Sequence, residues 1–176
     1  MSTGLSDAIL AHRPLFRGMS SSERQELLGM LELKAYEPGA TIQAEGESFQ
    51  YLWIVLHGKC RIAKRLKSGE QRELSVLDSS GVFGEMSFFN PAPHSASVCA
   101  VTNVELARLS REKYDILMRI GSTAAQKLAF NTIAVLIERV RKMDDWVADH
   151  FDRNNISEHH EEWKDFQSKL YTGWTF

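Results

Sequence analysis

The segment from Gly81 to Val98 holds the residues whose types and spacing best suit chemistry. Gly84 permits an unusual backbone turn or the close approach of a ligand, because glycine carries no Cβ. Residues 85–89 can form one helical turn, and the amide groups that begin a helix have no partner within it. Such amides attract anions, so the sequence predicts a small anion site beside Gly84 and Glu85.

The second half of this segment can fold back over the same pocket. Asn90-Pro91-Ala92-Pro93 is a rigid loop that ends the helical turn. His94 and Ser95 then begin the next strand and provide a facing pair of hydrogen-bond donors. Because Glu85 can accept hydrogen bonds from hydroxyl groups, the features together suit a phosphorylated sugar.

The surrounding sequence predicts the elements that position these residues. Residues 33–110 form runs of about 5 to 8 residues between turn signals, which predicts a mainly β fold. We expect an antiparallel, jelly-roll-like β-roll (a double-stranded β-helix) of about eight strands, flanked by N-terminal and C-terminal α-helices. Helical spacing predicts helices within residues 5–31 and 111–153, with a break at Gly121. Residues 1–150 are predicted as one domain, and 154–176 as a helical extension without a DNA-binding domain.

The predicted helix over residues 122–153 carries apolar residues at alternating spacings of four and three. A 3.5-residue repeat keeps one seam facing a partner helix, which is typical of a coiled coil. We therefore expect a homodimer through this helix. The predicted seam consists of Ala129, Ile133, Leu136, Val140, Met143 and Val147.

Composition argues against several classes of function. The chain has 21 Lys and Arg against 23 Asp and Glu, whereas nucleic-acid binding needs a clustered excess of positive charge. No apolar run approaches the roughly 20 residues that span a bilayer, so no membrane association is expected. Since no signal peptide begins the chain, we expect a cytoplasmic protein. No nucleophile stands beside a recognisable base, so we do not expect an enzyme.

Two further charged clusters are interpreted as solvated surface. The first is a basic cluster, and strand alternation would place several of its members on one outward face. A solvated surface is the default interpretation, and binding of an acidic partner is the alternative. The cluster consists of Lys59, Arg61, Lys64, Arg65 and Lys67. A second cluster lacks the spacing that would put two imidazoles on one helix face, so no metal site is predicted there. Its members are His159, His160, Glu161 and Glu162.

The segment around Gly84 resembles the phosphate-binding cassette of the cyclic-nucleotide-binding family, which includes the catabolite activator and protein-kinase regulatory subunits. The family pattern is Phe-Gly-Glu, a short helix, a loop and then Pro-Arg-Ser/Ala-Ala-Thr-Val. The residues that match it are Phe83-Gly84-Glu85, Pro93, Ala96 and Val98, and turn glycines stand at Gly39, Gly46, Gly58 and Gly81. The resemblance covers about residues 10–150.

The resemblance implies a regulatory module that binds cyclic AMP or cyclic GMP. It implies that Glu85 holds the ribose 2′-hydroxyl, that the first amides of the short helix face the ligand, and that Ser95 donates to the cyclic phosphate. The implied ligand-binding set is Phe83, Gly84, Glu85, Met86, Ser87, His94, Ser95 and Ala96. Ligand binding would change packing at Leu117 and Ile120, move the helix after Gly121, and so act on a protein partner that the sequence does not identify.

His94 stands where the family usually has arginine. Arginine offers a permanent charge and a planar fork of donors, whereas histidine, with a pKa near 6.5, is mostly neutral at pH 7. Losing a hydrogen bond to a charged group costs roughly 1.5–3 kcal/mol, which weakens binding roughly ten- to a hundredfold. Three interpretations stay open: weak, pH-sensitive nucleotide binding; a different small anion as ligand; or a ligand-free protein-interaction scaffold that has lost nucleotide binding.

Overall fold

The structure is a computed structural model that describes residues 5–154, with side chains to residue 149. Its helices are α1 (Asp7–Ala11), α2 (Ser21–Leu28), α3 (Glu85–Phe89), α4 (Arg111–Arg119) and α5 (Thr123–Asn154), with a 3₁₀ turn at Pro14–Phe16. Its strands are β1 (Glu32–Tyr36), β2 (Thr41–Gln43), β3 (Tyr51–His57), β4 (Cys60–Arg65), β5 (Gln71–Leu77), β6 (Val82–Phe83), β7 (Ser97–Ala100) and β8 (Val104–Ser110). The chain divides into two compact units between residues 133 and 134.

The strands form two antiparallel four-stranded sheets. The first sheet has the order β1-β8-β3-β6, and the second has the order β2-β7-β4-β5. Strands that are distant in the sequence lie side by side, because β3 pairs with β8 at Ile54 and Ala107, and β4 pairs with β7 at Ile62 and Val98. The predicted mainly β fold, an antiparallel β-roll flanked by helices, is confirmed.

The hydrophobic core of the roll draws on both sheets. Alternate residues of a strand point to the same side, so each strand contributes every second residue. Trp53 and Leu106 come from the first sheet and Cys60 and Val98 from the second, each no more than 4% exposed. The Trp53 ring stacks on the Phe83 ring with centroids 5.7 Å apart. Phe83, the residue before Gly84, is thereby fixed in the core.

The N-terminal segment is attached to the roll by a partly buried arginine head group. Arg13 Nη1 donates to the Val55 carbonyl oxygen at 2.7 Å, and its Nη2 donates to the Leu56 carbonyl oxygen at 3.1 Å. Helix α2 begins with a capping box, in which the Ser20 hydroxyl accepts from the Glu23 amide and the Glu23 carboxylate accepts from the Ser20 amide. The helical region predicted for residues 5–31 therefore consists of two helices joined by the 3₁₀ turn.

A glycine separates α4 from α5, as the sequence predicts. Gly121 has a φ of +76°, a conformation that favours glycine because it carries no Cβ. The Ser122 hydroxyl then accepts from the Ala125 amide and donates to Glu26 Oε2 at 2.7 Å. The first turn of α5 is thus capped and tied to α2.

Helix α5 carries a row of exposed apolar side chains. Its exposed large apolar residues within the described range are Phe130, Ile133, Ile137, Val140, Met143 and Trp146. Three members of the predicted seam belong to this group, and the other three are partly exposed, namely Ala129, Leu136 and Val147. No helix among residues 5–154 is long and apolar enough to cross a membrane.

Two predictions fall outside the described part of the chain. The helical extension was predicted for residues 154–176, of which only Asn154 is described, as the last residue of α5. The cluster of His159, His160, Glu161 and Glu162 also lies beyond the described residues. Among the residues that are described, no group of three or more His, Cys, Asp or Glu side chains could hold a metal ion.

Candidate functional site

The candidate site is built on residues 83–96, which we call the cassette. Gly84 lies between β6 and α3 with a φ of +81°, in the left-handed region. A Cβ at this position would overlap the carbonyl oxygen of Tyr51 and come within 3.2 Å of Trp53 Cδ1. Only glycine avoids both the backbone strain and the overlap, so Gly84 lets the chain turn sharply against β3 into α3.

The first turn of α3 alternates between buried and exposed side chains. Glu85 and Ser87 are 4% and 3% exposed, whereas Met86 is 61% exposed. The Glu85 carboxylate therefore lies against the roll, and Met86 lies on the surface. The amides of this turn are those that an α-helix leaves without a partner of its own.

The structure brings the two halves of the cassette together. His94 Nδ1 lies 2.8 Å from Ser87 Oγ, and the Ser87 hydroxyl also donates to the Gly84 carbonyl oxygen at 3.2 Å. The His94 ring and the Ser87 hydroxyl are thus hydrogen-bonded to each other. The Ser95 hydroxyl lies 4.0 Å from Met86 Sδ. The sequence-predicted convergence of the α3 turn with the strand start after Pro93 is therefore present.

His94 is buried rather than presented to solvent. It is 5% exposed, its amide donates to the Glu47 carbonyl oxygen, and its own carbonyl oxygen accepts from the Gly46 amide. Burial lowers the pKa of the His94 imidazole, and the nearby Glu47 carboxylate opposes this shift. The imidazole is therefore neutral at pH 7, and it stabilises the cassette internally through Ser87.

A cavity of about 230 Å³ adjoins His94. Its lining residues are Tyr36, Ile42, Gln43, Phe49, Tyr51, Trp53, His94 and Arg108. The Arg108 guanidinium lies 4.2 Å from the Tyr51 ring centroid and is bound by Glu32 at 2.8 Å. The Gln43 side chain donates to the Ala96 carbonyl oxygen at 3.4 Å, so the strand start of the cassette forms part of the same region.

The other end of the cassette contacts α4. Phe88 and Phe89 of α3 pack edge-on against the Tyr114 ring, with centroids 5.4 and 5.5 Å apart. Arg111 Nη1 donates to the Phe88 carbonyl oxygen at 2.8 Å. The sequence does not predict these contacts; the coupling expected from it lies at Leu117, which is fully buried, and at Ile120, which is 69% exposed. The run of two phenylalanines at the end of α3 is the sequence signal from which these aromatic contacts could have been predicted.

Lys64 is the member of the basic cluster that contacts the cassette. A β-bulge between Ile62 and Ala63 shifts the alternation along β4, so that Ala63 is buried and Lys64 is exposed. Lys64 Nζ donates to the Ser95 carbonyl oxygen at 2.7 Å.

These features define a class of protein: a helix-flanked antiparallel β-roll that carries a glycine-turned cassette at one end. The family model described as a cyclic nucleotide-binding domain matches residues 33–120. This range contains the whole cassette and all eight strands, except for the first residue of β1. The match thus covers half of the 176-residue chain.

Similar proteins agree with this match. The chain is 35% identical over 131 residues to the cyclic AMP receptor protein of Thermus thermophilus, covering 74% of this chain and 59% of that protein. It is 29% identical over 143 residues to a CRP-like cAMP-activated global transcriptional regulator of Mycobacterium tuberculosis, covering 81% of this chain and 62% of that protein. The crystal structure of the Thermus thermophilus catabolite activator protein superposes with a TM-score of 0.69 at 33% identity, covering 77% of this chain and 62% of that one.

The chain belongs to the cyclic nucleotide-binding domain family. It spans about 60% of the length of these relatives. The family resemblance that the sequence predicts is confirmed, including the regulatory nature of the relatives.

Proposed function

We propose that this chain is a regulatory module, not an enzyme, and that it binds a cyclic nucleotide at the cassette. The proposed contact set is Phe83, Gly84, Glu85, Met86, Ser87, His94, Ser95 and Ala96. The observation that carries the proposal is the convergence of the α3 turn with the strand start after Pro93, joined by the bond of His94 to Ser87 at 2.8 Å. That convergence lies within the residues that the family model matches.

Each part of the cassette has a proposed role. The first amides of α3 and the Ser95 hydroxyl donate to the cyclic phosphate, because a phosphate oxygen is a strong acceptor for such donors. The Glu85 carboxylate accepts from the ribose 2′-hydroxyl. Two relatives carry cyclic AMP in their names, which supports a cyclic nucleotide as the ligand class here.

His94 is proposed to weaken binding relative to an arginine. A neutral imidazole whose Nδ1 is already hydrogen-bonded to Ser87 adds no charge to a phosphate site. A charge-assisted bond contributes roughly 1.5–3 kcal/mol, so the chain is expected to bind roughly ten- to a hundredfold more weakly than it would with an arginine.

Calorimetric titration with cyclic AMP and cyclic GMP tests the binding proposal. We expect saturable binding of at least one of them, its loss in Glu85→Ala, and unchanged binding in the control Glu70→Ala, which alters an exposed residue between β4 and β5. A His94→Arg variant that keeps its thermal unfolding midpoint is expected to bind more tightly. Absence of saturable binding at millimolar concentrations of both ligands would overturn the proposal.

The proposed output is a homodimer whose long helix responds to the ligand. The exposed apolar row on α5 supports a seam at Ala129, Ile133, Leu136, Val140, Met143 and Val147, widened by Phe130 and Ile137. The contacts of Phe88 and Phe89 with Tyr114 support coupling from the cassette to α4, and Gly121 provides the bend before α5. A change in α5 would then reach a protein partner.

Light scattering measures this output directly. We expect a dimer at micromolar concentration, a monomer for Ile133→Glu combined with Val140→Glu, and a dimer for the control Lys142→Glu, an exposed residue of the same helix. A monomeric native chain whose mass does not respond to cyclic nucleotide would contradict the dimer proposal and leave the binding proposal standing.

A further inference from the structure

The cassette lacks a positive charge of its own. Residues 83–96 contain no Lys or Arg, and the buried His94 imidazole is neutral at pH 7. A cyclic phosphate diester carries one negative charge, and burying an anion without a partner is costly. If the proposed ligand binds here, a cation outside residues 83–96 is needed to balance it.

Lys64 of β4 is placed to supply that charge. Its Nζ lies 2.7 Å from the carbonyl oxygen of Ser95, the residue proposed to donate to the phosphate. An ammonium group has three donor hydrogens, so this bond leaves two for other acceptors.

Lys64 has a second cation as its cross-strand partner. Arg72 of β5 is its direct cross-strand partner, and such partners carry their side chains on the same face. The nearest acid in an ion pair with Lys64 is Glu45, whose Oε1 lies 4.0 Å from Nζ and whose Oε2 accepts from the Arg65 amide at 2.8 Å. Lys64 and Arg72 are thus two cations in register on neighbouring strands, and Glu45 is the carboxylate paired with Lys64.

We infer that Lys64, with Arg72 beside it, contributes the phosphate-binding charge that this cassette lacks at position 94. This role of Lys64 rests on the proposed function, and it makes a residue outside the cassette determine the class of ligand that the cassette binds. An ammonium is a compact point charge rather than a planar fork, so Lys64 attracts an anionic phosphate without fixing its orientation. The site therefore favours ligands that keep a phosphate negative charge over neutral nucleosides.

Calorimetry on the full chain with cyclic AMP and cyclic GMP tests this inference. For whichever ligand the native chain binds, we expect Lys64→Met to raise the dissociation constant roughly ten- to a hundredfold and Lys64→Arg to retain most of the affinity. The matched control is Lys59→Met, which removes the same charge from an exposed residue at the opposite end of β4 and is expected to change affinity less than about threefold. Thermal unfolding midpoints equal to that of the native chain establish that the variants are folded.

The salt dependence of binding provides a second readout. Raising ionic strength from about 0.01 M to about 0.15 M shortens the screening length from about 30 Å to about 8 Å, so the native affinity is expected to fall more steeply than that of Lys64→Met. Native binding that Lys64→Met and Lys59→Met change equally would overturn the role of Lys64 and leave the proposed function intact. A native chain that binds neither nucleotide would overturn both.

Discussion

The β-roll and the exposed row on α5 both carry apolar residues at regular spacing, yet they use them differently. In the roll, alternate residues such as Leu106 are completely buried between the sheets. On α5, Ile137 keeps 46% of its surface exposed. Folding of the described residues therefore buries the apolar pattern of the roll and leaves the exposed row on α5 accessible. An exposed apolar row on a monomer is typical of a surface that contacts a partner.

The largest expected difference is in the free energy of unfolding when one apolar residue is truncated in each region. Leu106→Ala leaves a cavity in the core and is expected to lower the free energy of unfolding by about 2–5 kcal/mol. Ile137→Ala is expected to change it by less than about 0.5 kcal/mol, since the side chain is already exposed. Urea denaturation at low protein concentration, where association contributes least, measures both. Equal losses would mean that α5 is part of the same core.

The two glycines with positive φ that precede α3 and α5 provide a second comparison. Gly121→Ala meets no atom within 4 Å, so its expected cost is about 1–2 kcal/mol for the left-handed backbone alone. Gly84→Ala adds overlap with the Tyr51 carbonyl oxygen, and overpacking typically costs a further 1–3 kcal/mol or so. Thermal denaturation of the two variants ranks them. A smaller loss for Gly84→Ala would show that β3 can move away from the cassette.

The pH dependence of stability isolates the buried histidine of the roll. Burial lowers the pKa of His94 below its ordinary value of 6.5, so the folded state binds fewer protons than the unfolded state. Stability from this group is complete above about pH 6.5 and falls as the pH drops below it, by at most about 1.4 kcal/mol per pH unit. His94→Gln should flatten the curve between about pH 7 and pH 5. The exposed His57→Gln is the control, and parallel curves for all three proteins would contradict the burial of His94.

The smallest expected effect is the difference in acid sensitivity between an ion pair of the roll and an ion pair of α5. Hydrogen bonds from Lys113 and then Arg108 lower the pKa of Glu32 to about 2. Stability from Glu32 is therefore present above its unfolded pKa and is lost as the pH falls from about 4.5 towards 2. Glu32→Gln should reduce acid sensitivity in that window, while Glu138→Gln on α5, whose pair with Arg141 is 3.5 Å long and well exposed, should not. Acid titration followed by circular dichroism measures the difference.

Much of the roll could be predicted from the sequence, because its signals are local. Alternation predicted the strands, and Gly121 predicted the break between α4 and α5. The cassette was found because its residues are consecutive. The contacts of Phe88 and Phe89 with Tyr114 were missed, since they join residues about 25 positions apart whose meeting depends on how α3 packs.

The sequence alone determined that the chain forms an antiparallel roll with a glycine-turned cassette, since side-chain period and glycine position are properties of a single stretch of chain. Only the tertiary structure decided that His94 turns inward to Ser87 and that Lys64 reaches the Ser95 carbonyl oxygen. Both outcomes follow from the pairing of strands far apart in sequence, such as β4 with β7. That pairing sets which charged groups become neighbours, and no local pattern encodes it.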